Sequence, residues 1–544
     1  MTARRVIRRT GGSRPRAAGW LFHGGSLLDP ARAARPFAKP RAGRGEALLV
    51  RGGVIEAVGP LGELRKRAGR GVESIDLRGG ALLPGFVDAH IHLVTWLRTL
   101  REPSFGAEQT PAALALLVRG RERTLRPGEW LTVRGWIPRA WPAEAIARST
   151  LDPLAPDRPL VLYAADGHSV WANGEALARC GVNGRTRTPD GGEIVRDTRG
   201  EPTGQLIEEA ANLLRPHVPR LEDPKQEFAD AVAEARRLGI TSAHDFDRSA
   251  VGRAAAQDLD REGRLGLRLV QSIPVAQMDA AIALGLRSGF GSDRLRVGPV
   301  KMFADGTLGS STALLEAPYE GTSNVGIAVT TPQELREKTA RAAKAGLSVA
   351  IHAIGDRAVR HALDAFEAAL QEGWRFPTPP RVEHVQLARR EDFARFHRVG
   401  AVASVQPCHL LTDRDLAARI WGARVDRSYA WKSLRRAKAT LYFGSDAPFD
   451  LPSPLLGLQA AVLRRDPSRH PAPDQPAQRL RLAEALRAHV ESPHGAAGWT
   501  PRLGRLEPGW GADLVSLSAD LREVDPEGWT RLRITGSWVS GERR

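Results

Sequence analysis

The chain is poor in cysteine, with Cys180 and Cys408 the only two among 544 residues. A pair so distant argues against a disulfide framework and suits a reducing cytoplasm. Nowhere do about eighteen consecutive apolar residues occur, so no membrane span is expected. The opening stretch, "MTARRVIRRTGGSRPRAAGW", has twin arginines but lacks the apolar core of a secretory signal. Residues 1–19 read as a disordered basic tail or an overextended start. Internal repeats and coiled-coil heptads are absent. Aromatics make up only 6% of the chain and no basic run is interleaved with them, so a platform for stacking bases is missing. That matters because the net charge is +17. Beyond the tail the basic residues, mostly Arg, are scattered singly among Asp and Glu. The excess reads as a compositional habit, and no nucleic-acid partner is expected.

What is present is 42% hydrophobic and 26% charged sequence, the composition of a soluble protein with ample core. Near the start, "WLFHGGSLLDP", "EALLVRGGVIEAVGP" and "ESIDLRGGALLPG" are short strands punctuated by glycine. "GADLVSLSADL" and "RLRITGSWVSGE" match them at the far end. Residues 20–80 and 496–544 are therefore expected to pair into a small β-sandwich. The middle alternates strand-like apolar runs with helical patterns such as "TPQELREKTARAAKAG". Together with "FVDAHIHL", the runs "GITSAHDF", "GLRLVQSIPV", "RVGPVKMFADG", "LSVAIHAIGD", "PRVEHVQL", "AVASVQP" and "ATLYFGSDAPF" make eight. Strand–helix alternation on that scale predicts an α/β fold, a closed (β/α)8 TIM barrel over 81–95 and 224–495. The long interval after strand one predicts an inserted subdomain over 96–223 covering the active site.

Within "FVDAHIHL", side chains two apart share a face, so His90 and His92 converge, with Asp88 one step earlier. Two convergent neutral imidazoles make half of a metal site, although an isolated H-x-H is more often a pair of satisfied core histidines. Other polar residues fall at the carboxyl ends of later strands, where active sites of this barrel form. Lys301 lies on strand four, His352 ends strand five, His384 ends strand six and Asp446 ends strand eight. Each alone has a bland reading: a structural histidine, a snorkelling lysine, a turn-forming aspartate. Their joint placement at one end of one barrel favours a metal-dependent active site.

The ordered motifs "LLPGFVDAHIHL", "KMFADGTLGSSTALL", "AIHAIGDRAV", "VEHVQL", "VQPCHLLTD", "FGSDAPF" and "LEPGWGADLVSLS" resemble those of the amidohydrolase superfamily. "DGHSVWAN" narrows the resemblance to the branch of N-substituted formamide deformylases and exoenzyme regulatory proteins. This likeness implies that His90 and His92 bind one metal with Asp446, and that His352 and His384 bind a second. Lys301, carboxylated by CO2 to a carbamate, would bridge the two ions, with a single-metal site as the alternative. Two divalent ions about 3.5–4 Å apart activate a shared water and polarise a carbonyl. Zinc suits the histidine-rich set, with iron or manganese as alternatives. Asp446 would serve as the catalytic base and then acid. His168, His409 and Asp305 are candidates for substrate contact or ligand orientation, Asp305 having helix capping as its alternative. The expected function is hydrolysis of a linear amide or N-acyl or N-formyl amine. A cyclic-amide hydrolase or a deaminase would use the same residues, and a non-catalytic regulatory protein is the rival from another class. The expected partner is a small amide substrate, with a homodimer compatible.

Overall fold

Eight short apolar runs form the central sheet of the computed structural model, which describes residues 19–34, 45–101, 103–105, 109–165, 167–214, 223–467, 469–499 and 502–543. In chain order the strands are β1 (Phe86–Ile91), β2 (Ile240–Asp245), β3 (Arg268–Pro274) and β4 (Leu295–Phe303). They continue as β5 (Val349–Ala353), β6 (Arg381–His384), β7 (Val402–Val405) and β8 (Thr440–Phe443). Each pairs in parallel with the next. Parallel strands buried on both faces need continuous apolar sequence, and β1, β2, β5, β6 and β7 are buried at every position.

The seam between β8 and β1 closes just beyond the end of β8. Asp446 N donates to His90 O at 2.6 Å and His92 N donates to Ala447 O at 2.8 Å. Asp88 adds a side-chain suture, accepting from Ser445 N at 2.9 Å and Ser445 Oγ at 2.6 Å. Gly444 permits this approach, because a Cβ there would overlap the His90 backbone. Closure of the barrel and placement of His90, His92 and Asp446 are thus one event.

Amphipathic helices sheathe the strands. Asp356–Gln371 buries Val359, Ala362, Leu363, Phe366 and Ala369, the stripe expected of period 3.6. Each fully buried Leu or Phe there stabilises by roughly 1.5–3 kcal/mol. Thr331 and Glu334 form a reciprocal capping box that starts Pro332–Lys344.

The terminal segments form two sheets. One is ordered 54–60, 46–51, 19–23, 72–76; the other 26–27, 81–84, 514–517, 534–539, 542–543. They share a core of Phe22, Leu48, Val50, Leu82, Leu514 and Trp538. Ala81–Pro84 belongs to this β-rich region, antiparallel to Leu514–Leu517, and the barrel begins at Phe86. A buried Arg268–Asp513 pair at 2.7 Å joins the region to the barrel. Residues 1–18 of the expected basic tail lie outside the described residues, and Gly19 opens the first strand.

The insertion after β1 carries a five-stranded sheet, ordered 192–196, 202–208, 169–172, 160–164, 131–136. Buried Trp136, Trp141 and Trp171 anchor one face of it. His168 sits in the connection between its strands Leu160–Ala164 and Ser169–Ala172. Among the described residues, no helix is long and apolar enough to cross a membrane.

Candidate metal centre

Alternation along β1, continued one residue past its end, places Asp88, His90 and His92 on one side, and the closing seam brings Asp446 to meet them. His90 Nε2 and His92 Nε2 each lie 3.4 Å from Asp446 Oδ1. Tetrahedral coordination with bonds of ~2.0–2.1 Å separates ligand atoms by about 3.4 Å, so both distances match the ligand spacing of a divalent-metal site. Asp446 Oδ1 is buried and has no hydrogen-bond partner. A buried carboxylate oxygen left unpaired is costly, and a cation among these three atoms removes the cost. The residues present fit a metal.

Asp446 Oδ2 faces a second set: His409 Nε2 at 3.5 Å and His384 Nδ1 at 3.9 Å. His90, His92 and Asp446 thus form one compact donor group, and His384, His409 and Asp446 another. The backbone is left-handed at His384 (φ 73°), Val385 (φ 47°) and Asp446 (φ 58°). Non-glycine residues held there store strain that surrounding structure must enforce, and here it aims two potential ligands inward at strand ends.

Other residues hold the rings. Glu383, fully buried, accepts from His90 Nδ1 at 2.7 Å, which leaves Nε2 as the lone-pair atom toward Asp446. Arg381 pairs with Glu383 at 2.8 Å and donates to Ala89 O, Ser404 Oγ and His244 Nδ1. Burial disfavours the Glu383 carboxylate, but the charge of Arg381 and the hydrogen bond from His90 outweigh it and hold its pKa well below the usual range. Phe246 stacks on His90 with ring centres 4.2 Å apart. His384 Nδ1 bonds Gln406 Oε1 at 2.8 Å, and His409 Nδ1 bonds Asp450 Oδ2 at 3.1 Å. Burial pushes the His90 pKa down to about 4, helped by Lys301, so the imidazole is neutral at neutral pH, as ligation requires. His409 goes the other way: burial opposes its charge, yet Asp446 and Asp450 raise it to about 10.

Lys301 is buried on β4 with Nζ 4.9 Å over the ring of Phe246 and 5.1 Å over Phe303. Among the described residues it has no ion-pair partner, and burial lowers its pKa to about 8 against the pull of Glu383 and Asp446. His352 lies beside His384 with ring centres 4.5 Å apart. Its Nε2 is 3.0 Å from Gly306 O, leaving Nδ1 as its acceptor atom.

Asp305 is fully buried, and its oxygens accept from Leu314 N, Ile354 N and Gly355 N. It braces the loop after β4 against the end of β5, behind the donor groups. His168 lies at the rim, its ring 5.8 Å from that of His352 and its Nδ1 2.7 Å from Glu208 Oε2. Sequence reasoning missed Glu383, Phe246, Gln406 and Asp450. Alternation backwards from an inward His384 puts Glu383 outside; the left-handed backbone at His384 lets both point in.

A model of the amidohydrolase family matches residues 73–544 of the chain. Over 491 residues the chain is 33% identical to the protein LONG AFTER FAR-RED 3 of Arabidopsis thaliana, covering 87% of this chain and 84% of that one. Over 524 residues it is 28% identical to the N-substituted formamide deformylase of Arthrobacter pascens, covering 92% and 94%. An uncharacterized metal-dependent hydrolase from Pyrococcus horikoshii has a similar solved structure, with TM-score 0.74 and 26% identity over 94% of this chain and 99% of that one.

Proposed function

The chain belongs to the amidohydrolase family, a metal-dependent hydrolase acting on carbon–nitrogen bonds, and from that premise we propose that it cleaves a linear amide or an N-acyl amine, N-formyl amines included. The observation that carries this reading is the meeting of two histidine pairs on one carboxylate, Asp446, whose Oδ1 is otherwise unpaired. The similarity to the formamide deformylase supports the linear-amide class.

His90, His92 and Asp446 would hold one divalent ion, most simply zinc given the imidazole donors. His384, with His352, would hold a second. Bound metal supplies Lewis acidity toward the substrate carbonyl and a nucleophile at neutral pH. Asp446 accepts the proton of the attacking water and returns it to the departing amine, so that one carboxylate serves as base and then acid. Burial keeps a share of Lys301 neutral near physiological pH, and a neutral amine adds CO2 to give a carbamate and one proton. The carbamate, an anion in place of a cation, suits a position facing metals. His168, fixed by Glu208 at the rim, orients the substrate. Cys180 and Cys408 are both unpaired, which suits a cytoplasmic enzyme.

Elemental analysis of purified protein, combined with a panel of linear amides, N-formyl amines, cyclic amides and amino-heterocycles, tests the proposal. Metal-dependent release of amine from a linear amide is expected. Ammonia from an amino-heterocycle, with every amide untouched, would replace it with a deaminase. A metal-loaded protein inert to the whole panel would favour a binding role.

A further inference from the structure

Glu208 closes the last and longest strand of the inserted sheet, Pro202–Glu208, and nothing in the sequence singles it out. Its backbone is unusual for a residue with a side chain, at φ 51° and ψ −125°. Such conformations cost of order 1–3 kcal/mol and persist only where surrounding contacts enforce them. The contacts here are specific. Glu208 N donates to His168 O at 2.7 Å. Glu208 Oε2 accepts from His168 Nδ1 at 2.7 Å, and Oε1 accepts from Thr312 Oγ1 at 3.0 Å. Its side chain is only 9% exposed.

Thr312 belongs to the loop after β4, on the barrel side of the cleft. Its hydroxyl also accepts from Thr307 N at 2.9 Å. The same loop contains Gly306, whose carbonyl meets His352 Nε2 at 3.0 Å. Gly306 has no room for a side chain, because a Cβ would overlap Thr312 Oγ1 and crowd Glu208 Oε1. One carboxylate therefore grips two structures at once: a histidine carried by the insertion, and the barrel loop that steadies His352.

We propose that Glu208 is a positioning residue for the hydrolysis, locking the His168 ring in one tautomer and one place above the metal-ligand cluster and fastening the insertion to the loop after β4. With Nδ1 bonded to the carboxylate, the ring is held in one orientation. A small displacement of such a group costs much, since misplacement by ~1 Å is worth about 100-fold in rate. This inference rests on the reading, made above, that His168 contacts substrate.

The test is a double-mutant cycle on the metal-loaded full-length enzyme, with an amide that the wild type hydrolyses. E208Q keeps size but presents an amide NH2 to one of two donors, so it loses one grip. The variants E208Q, H168Q and E208Q/H168Q are compared in kcat, KM and metal content. Expected is a fall in kcat/KM of ~10–100-fold for E208Q, with metal content unchanged and no further loss when E208Q is added to H168Q. T312V provides a second cycle should E208Q not fold. It removes the barrel-side grip together with the bond from Thr307 N, and should give a smaller loss, most of which vanishes in the H168Q background. Wild-type kinetics for H168Q would remove His168 from substrate contact and overturn the inference with it. A clear defect in H168Q to which E208Q or T312V adds independently would leave the His168 reading standing and overturn the role of Glu208 alone.

Discussion

Replacing Glu383 with Gln should damage metal binding through a residue that touches no metal. Glu383 Oε2 fixes the proton of His90 on Nδ1 at 2.7 Å. Gln can accept a hydrogen bond at one end only, and the other end is a donor facing either Arg381 or the His90 ring. If that donor meets His90 Nδ1, the ring proton moves to Nε2, the atom 3.4 Å from Asp446 Oδ1, and the ligand lone pair is lost. Carboxylates that orient a metal-binding histidine are worth ~10–100-fold in affinity, or about 1.4–2.8 kcal/mol at 1.4 kcal/mol per tenfold. Fold stability falls as well, because Arg381 loses its buried counter-charge. Breaking such a pair costs ~3–5 kcal/mol, and the three other acceptors around the guanidinium place this case near the lower end, about 3 kcal/mol. Competition with a chromophoric chelator reads the affinity of the metal-stripped variant, and urea unfolding reads its stability. A folded Glu383→Gln protein whose metal affinity lies within twofold of wild type would refute the carboxylate–histidine argument.

Asp446→Asn leaves an oxygen near the metal but no proton acceptor; turnover should fall by at least ~100-fold while metal content partly survives, and near-normal turnover would remove Asp446 from acid–base work. Lys301→Ala should lose activity and the more weakly held metal, with formate restoring part of both; full activity without any rescue would disprove a bridging carbamate. Asp513, buried against Arg268, has its pKa held below 3.8 by that guanidinium despite the opposing effect of burial. A depressed carboxylate stabilises above its unfolded pKa and loses that contribution as pH falls through its folded pKa. Asp513→Asn should therefore destabilise the wild type by ~3–5 kcal/mol at neutral pH, with a gap that narrows in urea melts below pH 3.8; a gap constant with pH would show that the Asp513 charge is not its source.

The barrel was legible because its strands are short apolar runs separated by helical periodicity, a signal that needs no knowledge of contacts. The convergence of His90 and His92 follows from alternation alone. Where alternation fails, sequence reasoning fails with it: Glu383 and His384 are neighbours that both face inward, because the strand ends in left-handed backbone at His384. His409 was legible only as a residue after strand seven. Its approach to Asp446 depends on the first turn of Pro407–Trp421, which brings the ring back over the barrel end. Asp305, a conspicuous acid beside a strand end, accepts from three backbone amides and lies 3.7 Å from His352 Nε2, contacts that no local pattern shows. The pairing of Ala81–Pro84 with Leu514–Leu517 spans most of the chain, and no local pattern encodes such a register.

Anomalous scattering from a crystal of the active, metal-loaded enzyme, recorded on both sides of the metal's absorption edge, tests the central claim most directly. The account predicts a peak bounded by His90 Nε2, His92 Nε2 and Asp446 Oδ1, with any second ion on the His384 side of the same carboxylate. Full activity in crystals whose only metal lies away from Asp446 would contradict it.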